Sequence, residues 1–414
     1  MKPAHLRLLF VTFSICALAV FSWYFLAGNA LLEAAYDGRS WSVLNKVLGH
    51  ADRHPLAFYV QKMDALVSFY LLLWLAFTVT AAVFLYRLYR PAAMSDDGLD
   101  YLLFAIYTAV FAGMLLRFGT QESWYLIDDI MAFKGTPPFQ HRVMFIFPAQ
   151  VLQYLFPRLG AIECFLWSQV LAVVLMLWSV RRFAALFIRR DLAFVAQFLV
   201  LCMWAPTVTY YTFYDIGIIF VYSFCLYHLL RREMLPYVAM LVAGTFNHEI
   251  TLFLIVASGF VLLGQMKLRS LAGWILLQLL LYGLVRVLMF YVLPAHQAWE
   301  GGKIDNNINL FLHHPRTLVQ NVGPILLWYL LAASGWRYAS EPLRRCLIIL
   351  PCLLTMTFMV GQFNEGRQFD AFIPVAVAFM LCALSARVGA PAMPTLDRDS
   401  AWLLLRMPAS GTGR

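Results

Sequence analysis

The sequence predicts an all-α polytopic membrane protein, and three observations carry that prediction. Of its 414 residues 62% are hydrophobic and only 13% are charged, a balance outside that of soluble globular domains. The apolar residues arrive in blocks of roughly 17–25, the length a helix needs to cross a hydrocarbon core about 30 Å thick. Runs such as Leu71–Leu85 and Ile275–Leu293 also lack the alternation of a transmembrane barrel strand. About 10–12 transmembrane helices fit these blocks.

Taken in order, spans are expected near 8–28, 67–86, 101–117, 161–180, 192–210, 214–230, 235–264, 271–293, 318–335, 345–361 and 369–386. The first follows Lys2 and Arg7 and reads as an uncleaved helix, although Leu26–Ala30 resembles a small-residue cleavage site. Arg231 and Arg232 precede the 235–264 stretch, and Lys267 and Arg269 follow it. If both flanks are cytoplasmic, this stretch goes out and returns as two short spans. Both termini then lie inside, provided Val143–Leu159 is a helix lying in the interface.

Basic residues concentrate in the short inner connections, for example Arg181, Arg182, Arg189 and Arg190. The net charge of +9 is therefore a topology signal, and nucleic acid is excluded as a partner. The seven cysteines form no CxxC or Cys/His spacing, so no disulfide framework or zinc site is indicated. His313 and His314 lack a further ligand at recognisable spacing, and no metal-binding residues are assigned. No motif indicates a cofactor; a divalent cation is the only candidate left open. The chain divides into an N-terminal hairpin with its outer loop (1–100), a transmembrane core (101–390) and a cytoplasmic tail (391–414).

Chemistry gathers in the outer connections. The loop of about 118–160 holds Asp128 and Asp129, which with Tyr125 and Ala132 can share one face of a short helix. Gly135 is expected to end that helix, and Pro137-Pro138 to enforce an extended turn before His141 and Arg142. A carboxylate pair beside a membrane suits a general base acting on a hydroxyl, and ordinary surface acids are the competing account. Between the two short spans lies Asn247-His248-Glu249; such groups are costly in an apolar stretch unless they face protein or water. It is not a zincin motif, because Leu252 stands where a second histidine is needed. Arg367 can clamp a phosphate with Glu365 orienting it, or the two can simply pair. Tyr210–Asp215 adds hydroxyls and the Asp215 carboxylate, and mid-span Arg286 needs a counter-charge, for which Glu249 is a candidate.

These residues resemble the GT-C superfamily of membrane glycosyltransferases, which use polyprenyl- or dolichyl-phosphate sugars. The likeness covers roughly 101–386 and rests on layout and loose motif. A span leads into a long outer loop with the acidic pair and the Gly135-Thr-Pro-Pro turn, and interfacial helices are expected there. A Gly…Asn-His-Glu break then divides two short spans. The resemblance implies a GT-C-like core that transfers a sugar from a lipid-phosphate-linked donor to a glycan or lipid acceptor. It implies a catalytic Asp at Asp128 or Asp129, with Asp37 in the first loop as a rival. Glu249 joins the catalytic candidates. His141, Arg142, Asp215, Asn247, His248, Glu365 and Arg367 are the candidates for substrate binding. The expected setting is a bacterial inner membrane, in contact with its lipids and with the site facing the periplasm. A polysaccharide polymerase or ligase, or a membrane transporter, would present similar groups.

Overall fold

The computed structural model describes residues 3–37, 55–88, 97–115, 124–135, 141–207, 215–293, 303–363 and 365–388. The expectations for Pro137-Pro138, Tyr210–Tyr214, the first-loop residues 38–54 and the tail 391–414 lie outside these. Every named element among the described residues is helical, and the chain is an all-α polytopic membrane protein. Five helical segments are individually long and apolar enough to cross a bilayer: Leu56–Leu88, Ala161–Ala184, Leu268–Val292, Glu341–Met359 and Gly366–Val388. A bent pair within the first helix, Ser14–Tyr24 and Leu26–Ala34, adds a sixth. Other expected crossings fall on shorter helices.

The chain forms two compact units, Met1–Phe118 and Gly119–Arg414. The first contains α1 (Pro3–Asp37), α2 (Leu56–Leu88) and α3 (Asp97–Met114). Helix α3 thus lies in the same compact unit as α1 and α2. The reason is a polar join between α2 and α3. The buried Arg87 guanidinium pairs with Asp100 at 2.6 Å, and the Thr80 and Tyr107 hydroxyls meet at 2.5 Å. The 35 residues of α1 and 33 of α2 also exceed the expected spans. At 1.5 Å per residue each reaches about 50 Å, because the Leu- and Ala-rich flanks of the expected loop continue the helices.

The second unit begins with the two-turn α4 (Trp124–Met131) and α5 (Ile146–Leu155), which pack on α6 (Ala161–Ala184). The α4 helix ends differently from expectation. Phe133, at φ 55°, occupies the left-handed position, and Lys134 N–H returns to the Asp129 carbonyl at 2.7 Å. Phe133 N–H returns to Ile130, which completes a Schellman ending two residues before Gly135. On α5, Ile146 and Ala149 are buried, whereas Phe147, Val151, Tyr154 and Leu155 form an exposed apolar stripe at helical spacing.

The helix α7 (Val195–Trp204) has only ten residues, about 15 Å, and does not make the expected 192–210 span by itself. Its buried Ala196, Gln197, Val200, Leu201 and Trp204 make it an internal element. Helix α8 (Asp215–Leu230) is buried nearly all round, the pattern of a central helix. Helices α9 (Met234–Thr245) and α10 (Leu252–Leu262) flank the expected break. Each is about 17 Å long, too short to cross alone. The Tyr237 hydroxyl donates to the Leu254 carbonyl at 2.9 Å, a reach that requires the chain to fold back between them.

The long α11 (Leu268–Val292) lies at the perimeter, with 17% of its apolar window buried, against 72% for the segment Gly366–Val388. Between them come α12 (Ile304–His313), α13 (Pro315–Ala333), α14 (Glu341–Arg345) and α15 (Ile349–Met359). The last helix, α16 (Ile373–Val388), packs against α7, α8 and α13. Buried Asn307 of α12 donates its amide to the carbonyls of Phe358 and Gly361 and accepts from Phe363 N–H. It thereby satisfies carbonyls left over at the end of α15.

Candidate functional site

The polar residues of the second unit meet where α8 begins, α9 turns into α10, and the last span starts. Backbone contacts assemble this corner. Val143 and Met144 N–H groups both donate to the Phe246 carbonyl, at 2.7 and 3.1 Å, pinning the segment before α5 to the α9–α10 break. Ser168 of α6 fixes the same segment by donating to the Phe145 carbonyl at 2.7 Å. Two glycines permit the close approach. A Cβ at Gly217 would lie 2.7 Å from the Phe145 ring and 2.8 Å from the Asn247 side chain. A Cβ at Gly244 would lie 2.4 Å from Val221, so only glycine lets α9 approach α8 this closely.

This arrangement brings Arg142 and Glu249 together, with Nη2 to Oε1 at 2.8 Å. Arg142 is 6% exposed. A guanidinium so enclosed needs its carboxylate, because an uncompensated buried charge is strongly unfavourable. Arg286 had Glu249 as its expected counter-charge, and here the structure corrects the sequence. Glu249 is taken by Arg142, which the fold-back of α9–α10 delivers from the preceding loop. The Arg286 guanidinium instead stands 5.6 Å from the centre of the Phe290 ring, and its buried Nη1 has no hydrogen-bond partner among the described residues. Tyr282, one turn earlier, donates to the Glu249 backbone carbonyl at 3.0 Å.

His248 introduces the short 3-10 turn at Glu249–Thr251 and its Nδ1 accepts from Ile250 N–H at 3.3 Å. That acceptor role requires the neutral ring at this nitrogen, so the 3.5 Å approach of Nδ1 to Glu249 is no ion pair. Burial, reinforced by the nearby Arg142 charge, lowers the imidazole pKa to about 3. His141 is likewise shifted down, chiefly by burial, and its Nε2 lies 3.0 Å from the Leu293 carbonyl. Its ring meets Phe290 edge-on at 4.6 Å.

A second group adjoins the first. Arg367 donates to Glu365 at 2.7 Å, and Gln368 donates to the same carboxylate oxygen at 2.9 Å. Pairing of Glu365 with Arg367, one of the two alternatives read from the sequence, is thus present in the fold. Asp215, the first residue of α8, is 2% exposed and feels the charges of both Arg367 and Arg142. Asp370 is fully buried on the 3-10 segment Gly366–Phe372, and its Oδ2 lies 3.1 Å from the Thr207 hydroxyl.

Of the sequence candidates, Arg142, Asn247, His248, Glu249, Asp215, Glu365 and Arg367 thus share one corner, with His141 beside it. Asp128 and Asp129 do not join its contacts. Both are exposed on α4, whose Ile127, Ile130 and Met131 face inward. Asp37 ends α1 in the first unit. Sequence reading missed the roles of Thr207 and Asp370. Asp370 had a usable signal, a carboxylate at the edge of an apolar span, whereas Thr207 in Ala-Pro-Thr had none. Among the described residues no group of three or more His, Cys, Asp or Glu is arranged to hold a metal ion. No protein-family model matches the chain, and neither does any curated protein or solved structure.

Proposed function

We propose that this chain is an integral membrane glycosyltransferase that moves a sugar from a lipid-phosphate-linked donor to a glycan or lipid acceptor. The observation that carries the reading is the enclosed corner at Arg142–Glu249 and Arg367–Glu365, built around the α9–α10 fold-back. Guanidinium groups suit the oxygens of a phosphate leaving group, and their carboxylate partners hold them in place until it arrives. In such a transfer the acceptor oxygen bonds to the anomeric carbon while the carbon–oxygen bond to the lipid phosphate breaks. The electron pair leaves with the phosphate, and the acceptor proton passes to a carboxylate base. Asp128 and Asp129 are candidates for that base by resemblance, and their exposure on α4 leaves them open to a water-borne acceptor. The site would face the non-cytoplasmic side of a bacterial inner membrane, because the basic connections mark the opposite side.

The test is transfer by the purified chain in lipid vesicles, from polyprenyl-phosphate sugars to a panel of glycan and lipid acceptors. Arg142→Ala and Arg367→Ala should each lower turnover 100-fold or more. Full turnover in both would end the reading. A transporter is the second reading, favoured by the two half-length helices meeting at charged groups. Substrate uptake into vesicles without chemical change would decide for it.

A further inference from the structure

Four carboxylates and two arginines meet around Asp215 and Asp370, and the carboxylates are in excess. Arg142 and Arg367 already hold Glu249 at 2.8 Å and Glu365 at 2.7 Å. Asp215 and Asp370 stand beside these pairs, 2% and 0% exposed, close enough to feel each other's charge. Asp215 Oδ2 and Asp370 Oδ1 are both buried and accept no hydrogen bond from the described residues. Two enclosed neighbouring carboxylates do not both remain ionised without added positive charge.

A hydrogen count shows where one such charge sits. The Thr207 oxygen lies 2.7 Å from the Trp204 carbonyl and 3.1 Å from Asp370 Oδ2. A hydroxyl carries a single proton. The shorter contact takes it, since a carbonyl has none to give. The Thr207–Asp370 contact is then either the longer arm of a three-centre bond from Thr207 or a hydrogen bond donated by a protonated Asp370, and the excess of enclosed carboxylates favours the second. A metal ion is the poorer occupant, because no third ligand of the usual kinds joins the pair among the described residues and the Arg367 charge adjoins it. The groups facing the pair are Arg142 from the segment before α5, Glu365 and Arg367 from the turn before α16, Thr207, and Tyr329 of α13. None of the described neighbours supplies a second proton donor to the orphaned oxygens.

We propose that Asp215 and Asp370 hold one proton between them and form the acid–base pair that receives the proton of the acceptor hydroxyl. This rests on the transferase reading and assigns its base to the buried pair in place of the exposed Asp128 and Asp129. The acceptor O–H bond breaks as its oxygen bonds to the anomeric carbon, and the proton moves to the Asp215 carboxylate. The donor carbon–oxygen bond breaks with its electron pair kept by the lipid phosphate. The pair then carries two protons and returns one to water after product leaves. A shared-proton pair suits this role because its second protonation completes the charge balance of an enclosed site.

The test uses the full chain in lipid vesicles and two readouts. The first is infrared difference spectroscopy, which reports the carbonyl stretch of a protonated carboxylic acid and needs no turnover. The wild-type protein should show this band near neutral pH, and Asp370→Asn should remove it. Its absence from the wild type overturns the shared proton. The second is the pH dependence of transfer from a polyprenyl-phosphate sugar. Asp215→Asn should lower turnover 100-fold or more, Asp215→Glu should recover part of it, and Asp370→Asn should shift the acid limb of the profile. Asp215→Asn with turnover within threefold of wild type overturns the base assignment, as does loss of turnover confined to Asp128→Asn or Asp129→Asn. If no donor supports transfer by the wild type, the transferase reading and the pair's role as base both fall, and the infrared band alone decides the shared proton.

Discussion

Two acidic pairs in this protein meet opposite fates. Asp128 and Asp129 stand in sequence neighbourhood on a two-turn helix, and both are exposed. Asp215 and Asp370 are 155 positions apart in the numbering, and the fold encloses them in one corner with two arginines. Water surrounds and screens the charges of the first pair. The second pair exchanged its hydration for a few fixed partners, so its charge state is tied to packing. Adjacency in sequence is therefore a weaker guide to chemistry here than shared burial.

The contrast is most easily broken at Arg142. Arg142→Ala leaves the half-buried Glu249 without its guanidinium, and should cost about 1–3 kcal/mol. Thermal unfolding in a mild detergent measures this, and adding Glu249→Gln to the same chain should recover part of the loss. Additive losses would mean that the pair contributes no coupling. At Gly217 the substitution to Ala pushes a methyl against the Phe145 ring and the Asn247 amide. About 1–3 kcal/mol of destabilisation is expected from such overpacking. An unchanged unfolding midpoint would show that the segment before α5 is free to shift.

Acid sharpens the comparison further. The His248 pKa is about 3 in the fold and near 6.5 in an unfolded chain. Above pH 6.5 both states carry the neutral ring, and the group makes stability independent of pH. As pH falls from 6.5 toward 3, the unfolded chain binds the proton and the native protein does not. Stability should then drop by about 1.4 kcal/mol per pH unit from this residue alone. Comparing wild type with His248→Gln between pH 7 and pH 5 isolates that slope, and parallel profiles would exclude it. The smallest effect belongs to the exposed pair. Asp128→Asn and Asp129→Asn should each change stability by less than about 0.5 kcal/mol. A loss above 1 kcal/mol at either position would place it in a contact that its exposure argues against.

Much of the helix inventory was readable because lipid solvent imposes a simple rule. A backbone in hydrocarbon satisfies itself as helix, so apolar length alone located α2, α6, α11 and α16. The same rule located the α9–α10 break, since Asn247-His248-Glu249 interrupts an apolar stretch. It misjudged α7, where apolar composition reflects burial inside protein rather than contact with lipid. It also ended α4 at Gly135, although Phe133 takes the left-handed position. The cost of a positive φ at a non-glycine residue is offset by packing, and packing leaves no local sign in a sequence.

The sequence by itself determined the solvent of this protein and the places where polar groups interrupt its helices, because both follow from composition over short windows. Only the tertiary structure decided who meets whom. Arg142 takes Glu249 from a position 107 residues away, leaving Arg286 beside aromatic rings. Asp215 and Asp370 come together with Thr207 because α7, α8 and the start of the last span converge. Charge pairing in an enclosed site depends on distances of a few ångströms, and no one-dimensional pattern encodes those.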